Sequence, residues 1–298
     1  MAAKPTSPPP AYFLSLSLEN VRSFGAKQTI SFAREDGRPA QWTIILGDNG
    51  VGKTTVLKSL AAMVTEDRPI DRQDPYGIAA MWRLANSVWA PFRYGNTRPA
   101  QLDTVVVQDR QLETGKFGQD ANIIQAHVGK TNGGGMMTSG HNPRSLVCYG
   151  YGASRTTSIS ALSETPETAD KCASLFDEHA SLLDPQEWFL NIDYGIRLLA
   201  DDKRKQLSDA NDRVRQMIKD ILPGVTDLRI DNSGTPQKPQ INLQFLVYGT
   251  WVRLHDMSLG YQTMIVWLTD FASKLYIRYP ESDNPLAEPA IVLIDEVD

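Results

Sequence analysis

The spacing of apolar residues changes along the chain, and each change marks an element. Phe13, Leu14, Leu16, Leu18 and Val21 mostly alternate with Ser15, Ser17 and Glu19, the period of a half-buried strand. A turn at Gly25 leads to a second predicted strand, Gln28 to Ala33, with Ile30 and Phe32 on one face. Gly37-Arg38-Pro39 then turns the chain into the apolar run Ile44 to Leu46, read as a buried strand. Val56, Leu57, Leu60, Ala61 and Val64 follow at helical spacing. Two hairpin-joined strands ahead of this strand-to-helix unit predict an antiparallel sheet laid beside a parallel core.

The middle of the chain is less regular. Ile78 to Trp89 has a helical apolar pattern, Val105-Val106-Val107 and Ser145 to Tyr149 read as short strands, and Gly129 to Gly140 reads as a flexible linker. From Ser174 to Leu222 the pattern is helical until Pro223-Gly224 stops it. Leu207, Val214 and Ile221 are heptad-spaced, but the repeat is too short for a coiled coil. Three strands follow at Leu228 to Ile230, Ile241 to Val247 and Trp251 to Leu254, the last two joined by a turn at Tyr248-Gly249-Thr250. An apolar helix with Met264, Ile265, Val266, Leu268, Phe271, Ala272 and Leu275 comes next, then the run Ala290 to Ile294.

Three junctions between these elements carry chemistry. Gly47-Asp48-Asn49-Gly50-Val51-Gly52-Lys53-Thr54-Thr55 fits the phosphate-loop spacing G-x-x-x-x-G-K-[ST] between a strand and a helix. Its glycines let backbone N–H groups surround a phosphate, and the helix N-terminus adds positive potential. Lys53 is expected to reach the β- and γ-phosphates, and the Thr54 hydroxyl to ligate Mg²⁺. Ser258-Leu259-Gly260-Tyr261-Gln262 opens the apolar helix, with Ser258 able to cap it and the Gly260 backbone able to approach an anion closely. Ala290 to Ile294 runs into Asp295 and Glu296, a buried parallel strand ending in two carboxylates. Asp295 is expected to hold Mg²⁺, and Glu296 to orient or deprotonate the attacking water.

Composition adds boundaries rather than chemistry. The 298 residues suffice for one large or two ordinary domains, and 41% hydrophobic with 22% charged residues is a globular balance. The net charge of −5 advertises no global affinity for nucleic acid. No apolar run approaches the roughly 20 residues of a membrane span. No secretory signal opens the chain, and Cys148 and Cys172 lack metal-ligand spacing, so a cytoplasmic protein with no membrane partner is expected.

In this order the three junctions resemble Walker A, the signature motif and Walker B of ATP-binding-cassette ATPases, in their RecF/RecN/SMC branch. Leu18-Glu19-Asn20-Val21-Arg22-Ser23-Phe24 is similar to the branch's N-terminal NF(R/K)SF strand, with Val21 in place of Phe. Tyr149 to Arg155 looks like a segment of compact RecF-like ATPases of anti-phage defence systems. The resemblance implies an α/β P-loop ATPase head with an antiparallel N-terminal β-subdomain and a helical subdomain. The expected layout is a Pro-rich tail over 1–10, an N-terminal lobe over 11–155, helices over 156–224 and a C-terminal lobe over 225–298.

The resemblance also implies a mechanism. Arg22 and Ser23 fall near the nucleotide phosphates, and two chains form a homodimer that sandwiches two ATP molecules. Ser258, Gly260 and Gln262 of one chain then meet the ATP held by its partner. Hydrolysis separates the heads and drives DNA repair or a defence effector such as a nuclease. Departures are visible as well. The interval 156–254 offers no coiled-coil arm, neither Gln108 nor Gln125 is clearly the Q-loop glutamine, and no D-loop or switch histidine follows Walker B. The expectation is a fragment of a longer ATPase, its central sheet incomplete at the C-terminus. A non-hydrolysing, ATP-dependent regulatory module is the alternative; a nucleotide kinase or GTPase lacks support, as no Asn-Lys-x-Asp motif occurs.

Overall fold

A computed structural model describes residues 9–64, 100–109, 122–130, 136–140, 145–155, 157, 171–232, 234 and 241–296. The helix expected over Ile78 to Trp89, most of the Pro-rich tail and the triple glycine at 133–135 lie outside these residues. The chain divides into two compact units, Met1–Gly150 with Pro289–Asp295, and Tyr151–Glu288 with Glu296–Asp298.

The first unit is built on an antiparallel five-stranded sheet. Its strands are β1 (Ala11–Glu19), β2 (Gln28–Ser31), β3 (Ala100–Gln108), β4 (Asn122–Lys130) and β5 (Met136–Ser139), in the order β2-β1-β3-β4-β5. Alternation puts Leu16, Leu18, Leu102 and Val106 on one fully buried face. The opposite face carries a polar row in register: Thr29 pairs with Ser17, Ser17 with Asp103, Asp103 with His127, and His127 with Ser139. The linker expected from Gly129 to Gly140 is instead flanked by paired strands, with Gly129 inside β4 and Ser139 inside β5. Cross-strand pairing outweighs the turn propensity of Gly129.

Helix α1 (Lys53–Ala62) buries Val56, Leu60, Ala61 and Ala62. Strands β6 (Cys148–Tyr151) and β10 (Ile291–Ile294) form a two-stranded sheet, with Ile291 donating its N–H to the Val147 carbonyl at 2.8 Å. Two sequence expectations are corrected here. Ile44 to Leu46 is not a buried strand: residues 42–48 carry no strand, and Trp42, Ile44 and Leu46 are 88%, 80% and 86% exposed. An apolar run supplies β-propensity, but a strand exists only where a neighbour completes its hydrogen bonds, and no described strand pairs with this one. The strand expected over Ala290 to Ile294 is also less enclosed than five apolar residues suggested, since only Leu293 of β10 is buried. Its one described neighbour is β6.

The second unit gathers helices and a sheet around one core. Helices α2 (Ala173–Phe176), α3 (Pro185–Leu198), α4 (Asp201–Ile221) and α5 (Leu259–Arg278) accompany the antiparallel sheet β7 (Val225–Asn232), β8 (Ile241–Val247) and β9 (Thr250–Arg253). Asp184 caps α3 by accepting from the Gln186 N–H at 2.9 Å, with Pro185 in the first turn. The buried stripe of α4 is Ala210, Val214 and Ile218, continued by Leu222, whereas the heptad position Ile221 is 43% exposed. That stripe packs with Phe189 of α3, Leu228 and Phe245 of the sheet, and Ile265 and Ala272 of α5. Tyr248 and Gly249, both left-handed, make the tight turn between β8 and β9 that matches the strand twist.

A buried polar cluster ties this unit together. Asp270 of α5 accepts from the Tyr151 hydroxyl at 2.8 Å and from the Leu183 N–H at 3.2 Å. Lys274, one turn along, neutralises it at 2.7 Å. Among the described residues no helix is long and apolar enough to cross a membrane.

Candidate nucleotide site

The loop before α1 has the backbone that its glycines permit. Gly50 and Gly52 are left-handed, with φ of 85° and 108°. Gly52 is required twice over, because a Cβ there would lie 2.5 Å from Ser23 Oγ and 2.7 Å from Phe24 Cε2. Those neighbours belong to a tight turn in which Val21 and Phe24 exchange backbone hydrogen bonds. Ser23 Oγ also donates to the Val51 carbonyl at 3.2 Å. The structure therefore brings Ser23 onto the loop. Arg22, in the same turn, is exposed and left-handed at φ 48°.

No side chain caps α1, and no acidic residue occupies its first turn. Its leading N–H groups and the macrodipole add positive potential at the loop. The Lys53 ammonium folds across the loop and donates to the carbonyls of Gly47 at 2.6 Å and Asp48 at 3.0 Å. Asp48 and Asn49 are exposed at the loop's tip, and Thr55 is buried beneath it.

The far end of the chain closes the site. Thr54 Oγ1 donates to Asp295 Oδ2 at 2.6 Å, which sets the first turn of α1 against the end of β10. Asp295 is 9% exposed, so its carboxylate is held at the loop rather than in solvent. A hydroxyl and a carboxylate oxygen in contact are hard donors of the kind Mg²⁺ takes, with water and phosphate oxygens filling its remaining positions. Over residues 15–142 the chain matches a family model for an AAA domain.

The AAA-domain match spans the phosphate loop and the sheet beside it. Over 85 residues the chain is 28% identical to the retron Vc95 probable ATPase of Vibrio cholerae serotype O1 biovar El Tor. That stretch is 28% of this chain and 16% of the relative's length. Among solved structures, an SMC head bound to the C-terminal winged-helix domain of ScpA aligns with a TM-score of 0.44 and 13% identity, over 96% of this chain and 90% of that one. An SMC head with an extended coiled coil, bound to the C-terminal domain of ScpA from Pyrococcus furiosus, aligns at 0.40 and 12%, over 97% and 90%. The two sequence likenesses are thus to an AAA domain and to a probable ATPase.

The Ser258 to Gln262 turn and Glu296 belong to the second unit, whereas Asp295 belongs to the first. The turn before α5 is open: Ser258 is exposed, Leu259 is 74% exposed, and a Cβ on Gly260 would meet nothing within 4 Å. Ser258 occupies the N-cap position of α5 with extended backbone, but makes no side-chain cap hydrogen bond, contrary to the capping role expected of it. The turn is braced instead by Gln262, whose Nε2 donates to the Met257 carbonyl at 2.7 Å and the His255 carbonyl at 3.3 Å. Glu296 is exposed and left-handed at φ 53°, a conformation that costs a non-glycine residue about 1–2 kcal/mol. Its carbonyl accepts from Nη2 of Arg155, the last residue of the Tyr149 to Arg155 segment, for which the sequence suggested no role.

Of the glutamines considered for a Q-loop, Gln108 is tied down at the end of β3. Its amide donates to Ser145 Oγ at 2.8 Å and the Pro9 carbonyl at 3.3 Å. Gln125 lies exposed on β4. On α4, Arg215 donates to the Leu228 carbonyl and Arg213 to that of Asp283.

Proposed function

We propose that this chain is the ATP-binding and ATP-hydrolysing head of an SMC- or RecF-like ATPase that pairs with a second copy around ATP. The observation that carries the reading is the Thr54–Asp295 contact. It joins the hydroxyl that follows the phosphate-loop lysine to the carboxylate that ends the Walker B strand.

In this reading the loop N–H groups of Gly50 to Thr54 and the uncapped start of α1 bind the phosphates. Lys53 exchanges its two loop carbonyls for phosphate oxygens, a charge-assisted contact roughly twice as strong as a neutral one. Thr54 and Asp295 hold Mg²⁺, whose charge offsets that developing on the transferred phosphoryl group. Glu296, next in the chain and exposed, orients the attacking water and accepts its proton. Arg22 and Ser23 extend the phosphate-binding wall from the first turn.

The open Ser258-Leu259-Gly260 turn supports the two-chain part of the proposal. An exposed leucine and an unobstructed glycine at a helix N-terminus suit contact with a partner's nucleotide. Binding and release would then be a γ-phosphate-dependent association switch, read out by DNA or by an effector protein. The likeness to a retron ATPase favours the defence form of this function over repair.

Light scattering with saturating ATP and Mg²⁺ tests it. Glu296→Gln is expected to bind ATP and accumulate as a dimer that Lys53→Ala does not form. A Glu296→Gln protein that binds ATP and stays monomeric contradicts the sandwich. Full nucleotide occupancy with no phosphate release by the wild type selects the regulatory, non-hydrolysing alternative.

A further inference from the structure

Arg155 is an arginine in an otherwise apolar and small-residue stretch, Gly150-Tyr151-Gly152-Ala153-Ser154-Arg155, and it is only 8% exposed. A buried guanidinium is costly unless its donors are engaged, so its partners show what it is for. Nε donates to the Gly152 carbonyl at 3.1 Å, and Nη2 donates to the Glu296 carbonyl at 2.5 Å. The two acceptors lie 3 and 141 positions away in sequence.

Each end of this link is fixed for its own reason. Gly152 sits against α2 so closely that a Cβ would lie 2.2 Å from the Ser174 carbonyl oxygen. Its carbonyl is therefore anchored to packed backbone. At the other end, Glu296 is left-handed at φ 53°, an uncommon conformation that costs a non-glycine residue about 1–2 kcal/mol. A planar guanidinium with Nε and Nη2 donors spans two carbonyls at a set angle, which the single point charge of a lysine does not.

We propose that Arg155 is a positioning residue for the hydrolytic step: it clamps the Glu296 carbonyl and thereby fixes the direction in which the Glu296 carboxylate leaves the backbone. The inference rests on the hydrolytic role assigned above to Glu296. Arg155 acts through Glu296 and makes no claim on the nucleotide. Its loss lowers turnover and leaves ATP affinity in place.

The test compares Arg155→Gln and Arg155→Lys, each alone and combined with Glu296→Gln, in the full chain. Expected for Arg155→Gln is a kcat reduced about 10- to 100-fold, up to the lower end of the roughly 100- to 10,000-fold that general-base catalysis contributes, with the Kd for ATP within about threefold of wild type. Arg155→Lys is expected to fall between the two. In the Glu296→Gln background neither change lowers kcat further, because the group being aimed is already gone. Hydrogen exchange of the peptide spanning 291–298 supplies a readout independent of turnover, and it is expected to quicken in Arg155→Gln while α5 stays protected.

Unchanged kcat and unchanged exchange in Arg155→Gln overturn the clamp. So does a loss that adds in full to that of Glu296→Gln, or one that tracks ATP affinity. Should Arg155→Gln fail to fold, the same comparisons are made on Arg155→Lys, with the same outcomes deciding. Wild-type turnover by Glu296→Gln would instead refute the role of Glu296, while the exchange result still judges the clamp itself.

Discussion

Thr54 and Asp295, 241 positions apart, are joined by a 2.6 Å hydrogen bond from the threonine hydroxyl to the carboxylate. Neither residue is informative alone, since a threonine after a lysine and an aspartate after an apolar strand are both common. Their contact makes a two-oxygen site at the mouth of the phosphate loop, and most of the functional account follows from it.

Removing the hydroxyl while keeping the shape isolates that contact. Thr54→Val is expected to weaken Mg²⁺-dependent ATP binding by about 1.5–3 kcal/mol, the range for a hydrogen bond to a charged group, or roughly 10- to 150-fold. Thr54→Ser, which keeps the oxygen, is expected to bind within a few-fold of wild type. Calorimetric titration with and without Mg²⁺ reads both.

Gly52→Ala tests the loop's backbone. At φ 108°, with Ser23 Oγ 2.5 Å and Phe24 Cε2 2.7 Å from the new methyl group, the loop must shift. ATP affinity is expected to drop at least about tenfold, the equivalent of 1.4 kcal/mol. Gly25→Ala, where nothing lies within 4 Å, is expected to leave affinity unchanged.

The polar face of the five-stranded sheet predicts a pH response. Asp103 accepts from Lys27 at 2.9 Å and pairs with His127 at 2.5 Å. Burial pushes the Asp103 carboxyl up, but the hydrogen bonds from Lys27 and His127 outweigh it and hold the group below its ordinary 3.8. A depressed folded value means stability present above 3.8 and lost as pH falls through the lower value. Lys27 is raised above 10.5 by its hydrogen bond to Asp103 and the attraction of that charge, so its share is present below 10.5 and lost as pH climbs through the raised value. Urea midpoints of wild type and Asp103→Asn are expected to differ at neutral pH and converge at both extremes. Salt should shrink the gap, because Lys27 is exposed and Asp103 partly so.

Asp270 predicts the largest loss of stability by a polar change. With the Tyr151 hydroxyl, the Leu183 N–H and the Lys274 ammonium all directed at one buried carboxylate, Asp270→Ala leaves a charge and two donors without their acceptor. Breaking a buried pair in this way costs about 3–5 kcal/mol, to be read as a lowered midpoint in chemical denaturation. A loss below about 1 kcal/mol would mean that water replaces the carboxylate.

Local chemistry was the most legible part of the sequence. Alternation across Phe13 to Leu18 marked β1, and Pro223-Gly224 ended α4 after Leu222. The spacing from Gly47 to Thr54 and the Asp295-Glu296 pair are both legible in the sequence, and folding brings Thr54 and Asp295 together. What sequence did not show depends on partners distant along the chain. Ile44 to Leu46 has the composition of a buried strand, but composition does not supply the neighbour that makes one. Gly129 carries turn propensity yet lies in β4, because the strands on either side pair. Ser258 has capping chemistry, but Gln262 braces the turn. Arg155 was legible only as the end of the resembling segment Tyr149 to Arg155; its partner Glu296, 141 positions away, could be named only from the fold.

The central claim is that the phosphate loop and the end of β10 form one Mg²⁺-dependent ATP site. Its most direct measurement is equilibrium binding of ATP to wild type, Lys53→Ala and Asp295→Asn across a Mg²⁺ titration. The account predicts saturable binding by wild type that tightens with Mg²⁺, at least about a hundredfold loss in Lys53→Ala, equivalent to 2.7 kcal/mol, and residual binding in Asp295→Asn that no longer responds to Mg²⁺. Binding by Lys53→Ala as tight as wild type, or an unaltered Mg²⁺ response in Asp295→Asn, would contradict it.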